Sequence, residues 1–201
     1  MKRIHLLLIL LAFAASFASA DTIQLNQNNL GIAGSIGSAT LTQQSGGVMV
    51  TLSANAGYSF KLSGGDILFN TNSKLATSLG SANIQNILID GKYNSNFSFA
   101  DHGPKVFGAY GFDIRNLTKG SLPHGYVSAN TISFLISGAT LAQLKPYGFA
   151  VHFCTASGSN CGPATGFAHN GAAAVPEPGT LSLLGTGLLG IAGVFRRRFF
   201  S

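Results

Sequence analysis

The chain has 201 residues and a formal net charge of +6 at pH 7. Lys2, Arg3 and Arg196 to Arg198 supply +5 of that, and residues 21–178 hold seven basic and six acidic side chains, a net of +1. The basic balance therefore belongs to the two ends, and nucleic acid is not expected as a partner.

The N-terminus has the three parts of a secretory signal peptide. Lys2 and Arg3 form the positive region, and Ile4 to Phe17 is apolar apart from His5 and Ser16. Ala18-Ser19-Ala20 then fits the small-x-small cleavage pattern, which predicts a signal peptide over 1–20 and a mature chain from Asp21. Signal peptidase and the Sec export machinery are the partners this implies.

Residues 21–174 are long enough for one domain with its own core. Residues 21–47 are polar and rich in Asn, Gln and Gly, which predicts a frayed arm or an edge strand. Short apolar or alternating runs follow: Val48 to Ser53, Tyr58 to Leu62, Asp66 to Phe69, Ile84 to Ile89, Phe97 to Ala100, Val106 to Ile114, Thr131 to Ser137 and Phe149 to Cys154. Turn clusters such as Ser45-Gly46-Gly47, Asn55-Ala56-Gly57 and Asp90-Gly91 separate them. One helical turn is predicted near Thr140 to Leu144, with Thr140 as its cap. Many short strands at near-regular spacing predict an all-β fold, an antiparallel β-sandwich or jelly roll. The small residues of 170–174 read as a linker.

Cys154 and Cys161 enclose a run of small, turn-forming residues. An even cysteine count in an exported chain predicts a disulfide across a hairpin tip. Two thiols alone are too few for zinc, and their spacing is not Cys-x2-Cys. A Cys154–His152 catalytic pair is the weaker competing reading, because both side chains share one strand face.

The domain offers little for other chemistry. His102, His124, His152 and His169 show no His-x-His or His-x3-His spacing, so no metal site is predicted. His152 alternates with Val151 and Phe153 and reads as a half-buried or outward strand residue, while His169 reads as solvated beside the linker. The acids before the linker are Asp21, Asp66, Asp90, Asp101 and Asp113. A glycosidase needs two paired carboxyls. Asp90 and Asp101 are the pair considered for that, although Asp90-Gly91 is equally a turn dipeptide. No Gly-x-Ser-x-Gly elbow occurs, and Gly34-Ser-Ile-Gly-Ser38 lacks the lysine of a phosphate loop. No cofactor and no catalytic residue are predicted. The phenylalanines read as core, and an exposed tyrosine among Tyr58, Tyr93, Tyr110, Tyr126 and Tyr147 could stack on a sugar.

The tail carries the sharpest signal. Val175-Pro176-Glu177-Pro178-Gly179 comes first, and its prolines fix an extended backbone. An uncharged run from Thr180 to Phe195 follows, and then Arg196-Arg197-Arg198 as a stop signal on the cytoplasmic side. The 16-residue run spans only ~24 Å as a helix at ~1.5 Å per residue, short of a ~30 Å hydrocarbon core. Gly185, Gly187, Gly190 and Gly193 weaken that helix further, so a single transmembrane helix here suits a temporary anchor.

This tripartite segment, residues 175–201, resembles the PEP-CTERM sorting signal of exported bacterial proteins. The resemblance implies a transient anchor in the inner membrane and processing by an exosortase-type membrane protease. It implies that Pro176, Glu177 and Pro178 are recognised and that the product reaches the cell envelope, the surface or the extracellular matrix. The segment Thr131 to Leu144 with Phe149 to Phe153 is similar to a strand, turn and final strand found in such proteins. A structural or adhesive role in association with exopolysaccharide is the expectation, with no enzymatic activity. The rivals are a carbohydrate-active enzyme on the same fold and a permanently anchored periplasmic binding module.

Overall fold

The computed structural model describes residues 19–62, 64, 66–101, 110–117, 128–144, 148–157 and 160–170. All of them belong to a compact unit that ends at Gly171. They form an all-β protein of two antiparallel sheets. Sheet A has the order β1 (Ala20–Leu25), β3 (Gly37–Gln44), β4 (Gly47–Ala54), β12 (Thr131–Ser137), β7 (Ile84–Ile89) and β8 (Lys92–Tyr93). Sheet B has the order β11 (Ser128–Ala129), β5 (Tyr58–Lys61), β13 (Phe149–Ser157), β6 (Asp66–Phe69), β10 (Phe112–Arg115) and β9 (Ser98–Ala100). The far side of β13 pairs with β14 (Asn160–His169), which also pairs with β2 (Gln27–Asn28).

The strands of sheet A show the period-2 pattern of a half-buried sheet. Ala39 and Leu41 on β3, Val48, Val50 and Leu52 on β4, and Ile132, Phe134 and Ile136 on β12 are buried. Sheet B supplies Phe60, Ile67, Phe69, Phe112, Phe149 and Phe153 to the same core cluster. Phe69 links the layers. Its ring centroid lies 5.4 Å from Phe112 and 5.8 Å from Phe149 on its own sheet, and 6.5 Å from Phe134 on sheet A.

Most of the expected strands are present within a residue or two of their predicted ends. The strand predicted over 106–114 is described only as Phe112–Arg115, since 106–109 lie outside the described residues. Residues 21–47 differ from expectation. An edge strand is there, but so is β3, an interior strand paired on both sides. Its buried face is Gly37, Ala39 and Leu41, small enough to be lost among the Thr and Gln residues that face outward. Strand β14 was not anticipated either, and it carries His169, which is half-buried rather than solvated. Asn170, read as linker, holds the end of the fold, because its Oδ1 accepts from Phe149 N–H at 2.9 Å.

Two short helices lie between strands. In α1 (Ser73–Ala76), Asn72 Oδ1 accepts from Leu75 N–H at 2.9 Å as an ordinary N-cap. The turn expected near Thr140 is α2 (Leu141–Leu144). Its cap differs from expectation: the Thr140 hydroxyl donates to Gln143 Oε1 at 3.0 Å, so it is not the acceptor. The acceptor for Leu141 N–H is Gln43 Oε1 of β3, at 3.0 Å.

Gly47 is required by a close approach. A Cβ there would lie 2.2 Å from the Ile136 carbonyl oxygen, and φ is +153°. Only backbone movement could relieve that contact, so Gly47→Ala is expected to cost more than ~2 kcal/mol in a urea titration. A loss below ~0.5 kcal/mol would show that the β4–β12 spacing is looser than this.

Candidate functional site

Pro176, Glu177, Pro178 and Arg196 to Arg198 lie outside the described residues, as do Ala18 and the predicted span over 180–195. Ala20 opens β1, so cleavage after it would leave that strand starting at Asp21. Among the described residues no helix is long and apolar enough to cross a membrane.

The cysteines are joined. Cys154 and Cys161 form a disulfide with Cα atoms 5.3 Å apart, on the hairpin of β13 and β14. Both are buried, and the register shifts between Cys154 and Ala156 near the bond. This is the predicted pairing, and it engages the thiol that a Cys154–His152 catalytic pair would need. A loop this short is stabilised by about 2–3 kcal/mol in the chain-entropy account. The double replacement Cys154→Ala with Cys161→Ala is expected to lose about that much in a urea titration. The reduced wild type should match it, and a double variant as stable as the oxidised protein would refute the role.

Two other groupings stand out. The first covers the outer face of sheet B. Asp66 on β6 lies opposite Arg115 on β10, and Asp113 lies opposite Leu68, so both acids share one face. Leu68, Tyr110 and Ala150 are buried on that side with Phe167 packed against them. Asp113 is fully buried, with Arg115 Nε 3.5 Å from its Oδ2. Asp66 lies diagonally across the β6–β10 ladder from Asp113 on that face. Burial pushes Asp66 above the usual carboxylate range, opposed by Arg115, by Lys61 and by the Asp113 side chain.

The sequence offered Asp90 and Asp101 as the acid pair, and the structure instead joins Asp66 and Asp113. The missed signal was an acid inside an apolar strand, Phe-Asp-Ile-Arg, with an arginine two residues on. Asp90 has the turn role: at φ +46° beside Gly91 at φ +77°, it closes the β7–β8 hairpin. Its Oδ1 accepts from Asn130 N–H at 2.9 Å and Thr131 N–H at 2.8 Å. Asp101 is exposed beyond β9. A glycosidase needs both carboxyls open to the sugar between them, and Asp113 is fully buried.

His152 lies on the same outer face, stacked on Phe167 with centroids 4.4 Å apart. Burial lowers its pKa to about 4, with Lys61 adding to the shift and a hydrogen bond to the Gly64 backbone opposing it. Between about pH 4 and 6.5 the unfolded chain therefore binds more protons at this position than the folded one. Its contribution to stability is complete above pH 6.5 and is lost as pH falls towards 4. Asp66 acts oppositely, since a raised carboxylate favours the folded state at the acid end. The comparison of wild type with His152→Gln isolates the histidine. The wild type is expected to lose about 1–2 kcal/mol more across this window, a value discounted because the ring is only half-buried. Parallel stability profiles for the two proteins would remove His152 from the account.

The second grouping is an open groove at the β8 edge of sheet A. Gln85, Asn86, Tyr93, Asn94, Ser95 and Phe97 line a cavity of about 300 Å³. Tyr93 is 71% exposed, whereas Tyr110 is buried and Tyr58 packs edge-on against Phe153 at 5.9 Å. Tyr126 and Tyr147 lie outside the described residues, with His102 and His124. No group of three or more His, Cys, Asp or Glu among the described residues is placed to hold a metal ion.

Comparison with known families matches residues 174–198 to the PEP-CTERM protein-sorting motif. Neither the curated proteins nor the solved structures give a match.

Proposed function

We infer from the PEP-CTERM sorting motif at residues 174–198 that the chain is an exported protein handled by an exosortase and sorted to the cell surface. We propose that the all-β domain is a structural or adhesive component of the cell envelope or extracellular matrix, associated with exopolysaccharide and without enzymatic activity. In this reading the signal peptide is removed after Ala20, and residues 180–195 hold the chain briefly in the inner membrane. Processing at or near Pro176-Glu177-Pro178 then releases the domain.

The observation that carries the reading is the motif at 174–198, joined to an all-β unit stapled by Cys154–Cys161. A disulfide suits an oxidising compartment outside the cytoplasm. The acids support a non-catalytic role, because Asp90 is spent on two backbone N–H groups and Asp113 is fully buried with Arg115 3.5 Å away.

Intact mass of the protein isolated from its native host, with the cell fraction recorded, tests this. A species from Asp21 to near Pro178, two protons light and outside the inner membrane, is expected. A chain that keeps Arg196 to Arg198 in the inner membrane would overturn the processing and favour a permanent anchor.

A further inference from the structure

We infer that the groove beside Tyr93 is a binding site for a neutral polysaccharide chain. The inference rests on the adhesive reading above and names the ligand class and the residues.

The groove is built around an irregularity in β7. Ser133 pairs with Leu88 and Leu135 with Gln85, so Asn86 and Ile87 together face Phe134 alone. That is a β-bulge, a device that re-aims side chains. Asn86 sits in it at φ +52°, a left-handed conformation that asparagine tolerates better than most residues. As a result Gln85 and Asn86 are both exposed, where regular alternation would bury one of them.

The opposite wall is fixed. Asn94 N–H donates to the Ile87 carbonyl at 2.8 Å, and Asn94 Nδ2 donates to the Leu117 carbonyl. Asn94 Oδ1 accepts from Asn96 N–H at 2.7 Å. With its amide committed, Asn94 holds the backbone between Tyr93 and Phe97, and Phe97 packs against the core. Gln85 Nε2 donates to the Ala82 carbonyl at 3.0 Å, and the Gln85 side chain is exposed.

The groups presented to a ligand are therefore one exposed aromatic ring, two amide side chains and the Ser95 hydroxyl. Among the described residues, none that lines the groove is charged. A sugar ring offers an apolar face for the tyrosine and hydroxyls for the amides, and it brings no charge that would need a counter-ion. The groove is open at the sheet edge, so a polymer can pass through it. Lys92 neighbours Tyr93 on a strand, and alternation sends its side chain to the other face.

The test uses the full chain in detergent, oxidised, run by affinity electrophoresis through gels of dextran, galactomannan, β-1,3-glucan, alginate, or matrix polysaccharide extracted from the host. Retardation by at least one neutral polymer is expected, and Tyr93→Ala should weaken it ~10-fold or more. Tyr93 is exposed, so that variant should keep the wild-type melting temperature. Asn86→Gly provides the second test. Glycine fits the left-handed backbone, so stability should hold or rise while retardation falls several-fold. Retardation unchanged in Tyr93→Ala, no retardation by any neutral polymer, or retardation by alginate alone would each overturn the site. Host polymer that binds wild type and Tyr93→Ala equally would leave the adhesive reading standing and remove only the groove. Failure of every gel to retard the wild type would remove both.

Discussion

Phe69→Ala is expected to destabilise the domain by about 3–5 kcal/mol, measured as a lower urea midpoint at unchanged slope. Phe69 is fully buried and touches three other phenylalanine rings, two on its own sheet and one on the facing sheet. Its removal takes apolar surface out of burial and leaves a cavity between layers whose backbones are pinned by ladders, so the site cannot collapse far. A domain of this size has a total stability of roughly 5–15 kcal/mol, so the variant should be near the edge of folding at 37 °C. Phe69→Leu keeps most of the volume and should cost less than half as much. A Phe69→Ala loss under ~1.5 kcal/mol would mean that the sheets repack around the gap, and that Phe69 does not link them.

The same physics explains which strands were legible. Strands such as Thr131–Ser137 carry bulky apolar residues at every second position and announce themselves. Strand β3 buries Gly37, Ala39 and Leu41, and β14 of the other sheet buries Cys161 and Ala168. Small inward residues weaken the hydrophobic contrast on which period-2 reading depends. Gly37 is small because a Cβ there would lie 2.3 Å from the Ser53 carbonyl oxygen, so the packing that makes the strand interior also hides it. The disulfide was legible because two cysteines and a short turn leave few alternatives. The buried acid pair was not. Asp66 and Asp113 are 47 positions apart in the chain, and only the antiparallel register of β6 and β10 puts them on one face. The groove beside Tyr93 depends on a bulge, and the residues of β7 give no signal that Asn86 leaves the regular backbone. The sorting tail needed no fold at all, since its information lies in residue order.

Replacing Pro176, Glu177 and Pro178 together by alanine is expected to abolish sorting while leaving the domain untouched. A proline fixes φ and removes a backbone donor, and a carboxylate is costly to move into hydrocarbon. Alanine, a strong helix former without charge, removes both constraints. The variant should therefore keep Arg196 to Arg198 by intact mass and collect in the inner-membrane fraction, whereas the proposed function has the wild type shortened and at the surface. Its melting temperature and its Cys154–Cys161 bond should equal those of the wild type, because the described fold is complete at Asn170. Phe69→Ala makes the opposite prediction, a weakened domain on an intact address. If the alanine variant were still shortened and still reached the surface, recognition would lie elsewhere in residues 174–198, with the apolar run or the arginines as the remaining determinants. If its melting temperature fell, the tail would be part of the fold, and delivery could not be separated from the structure it delivers.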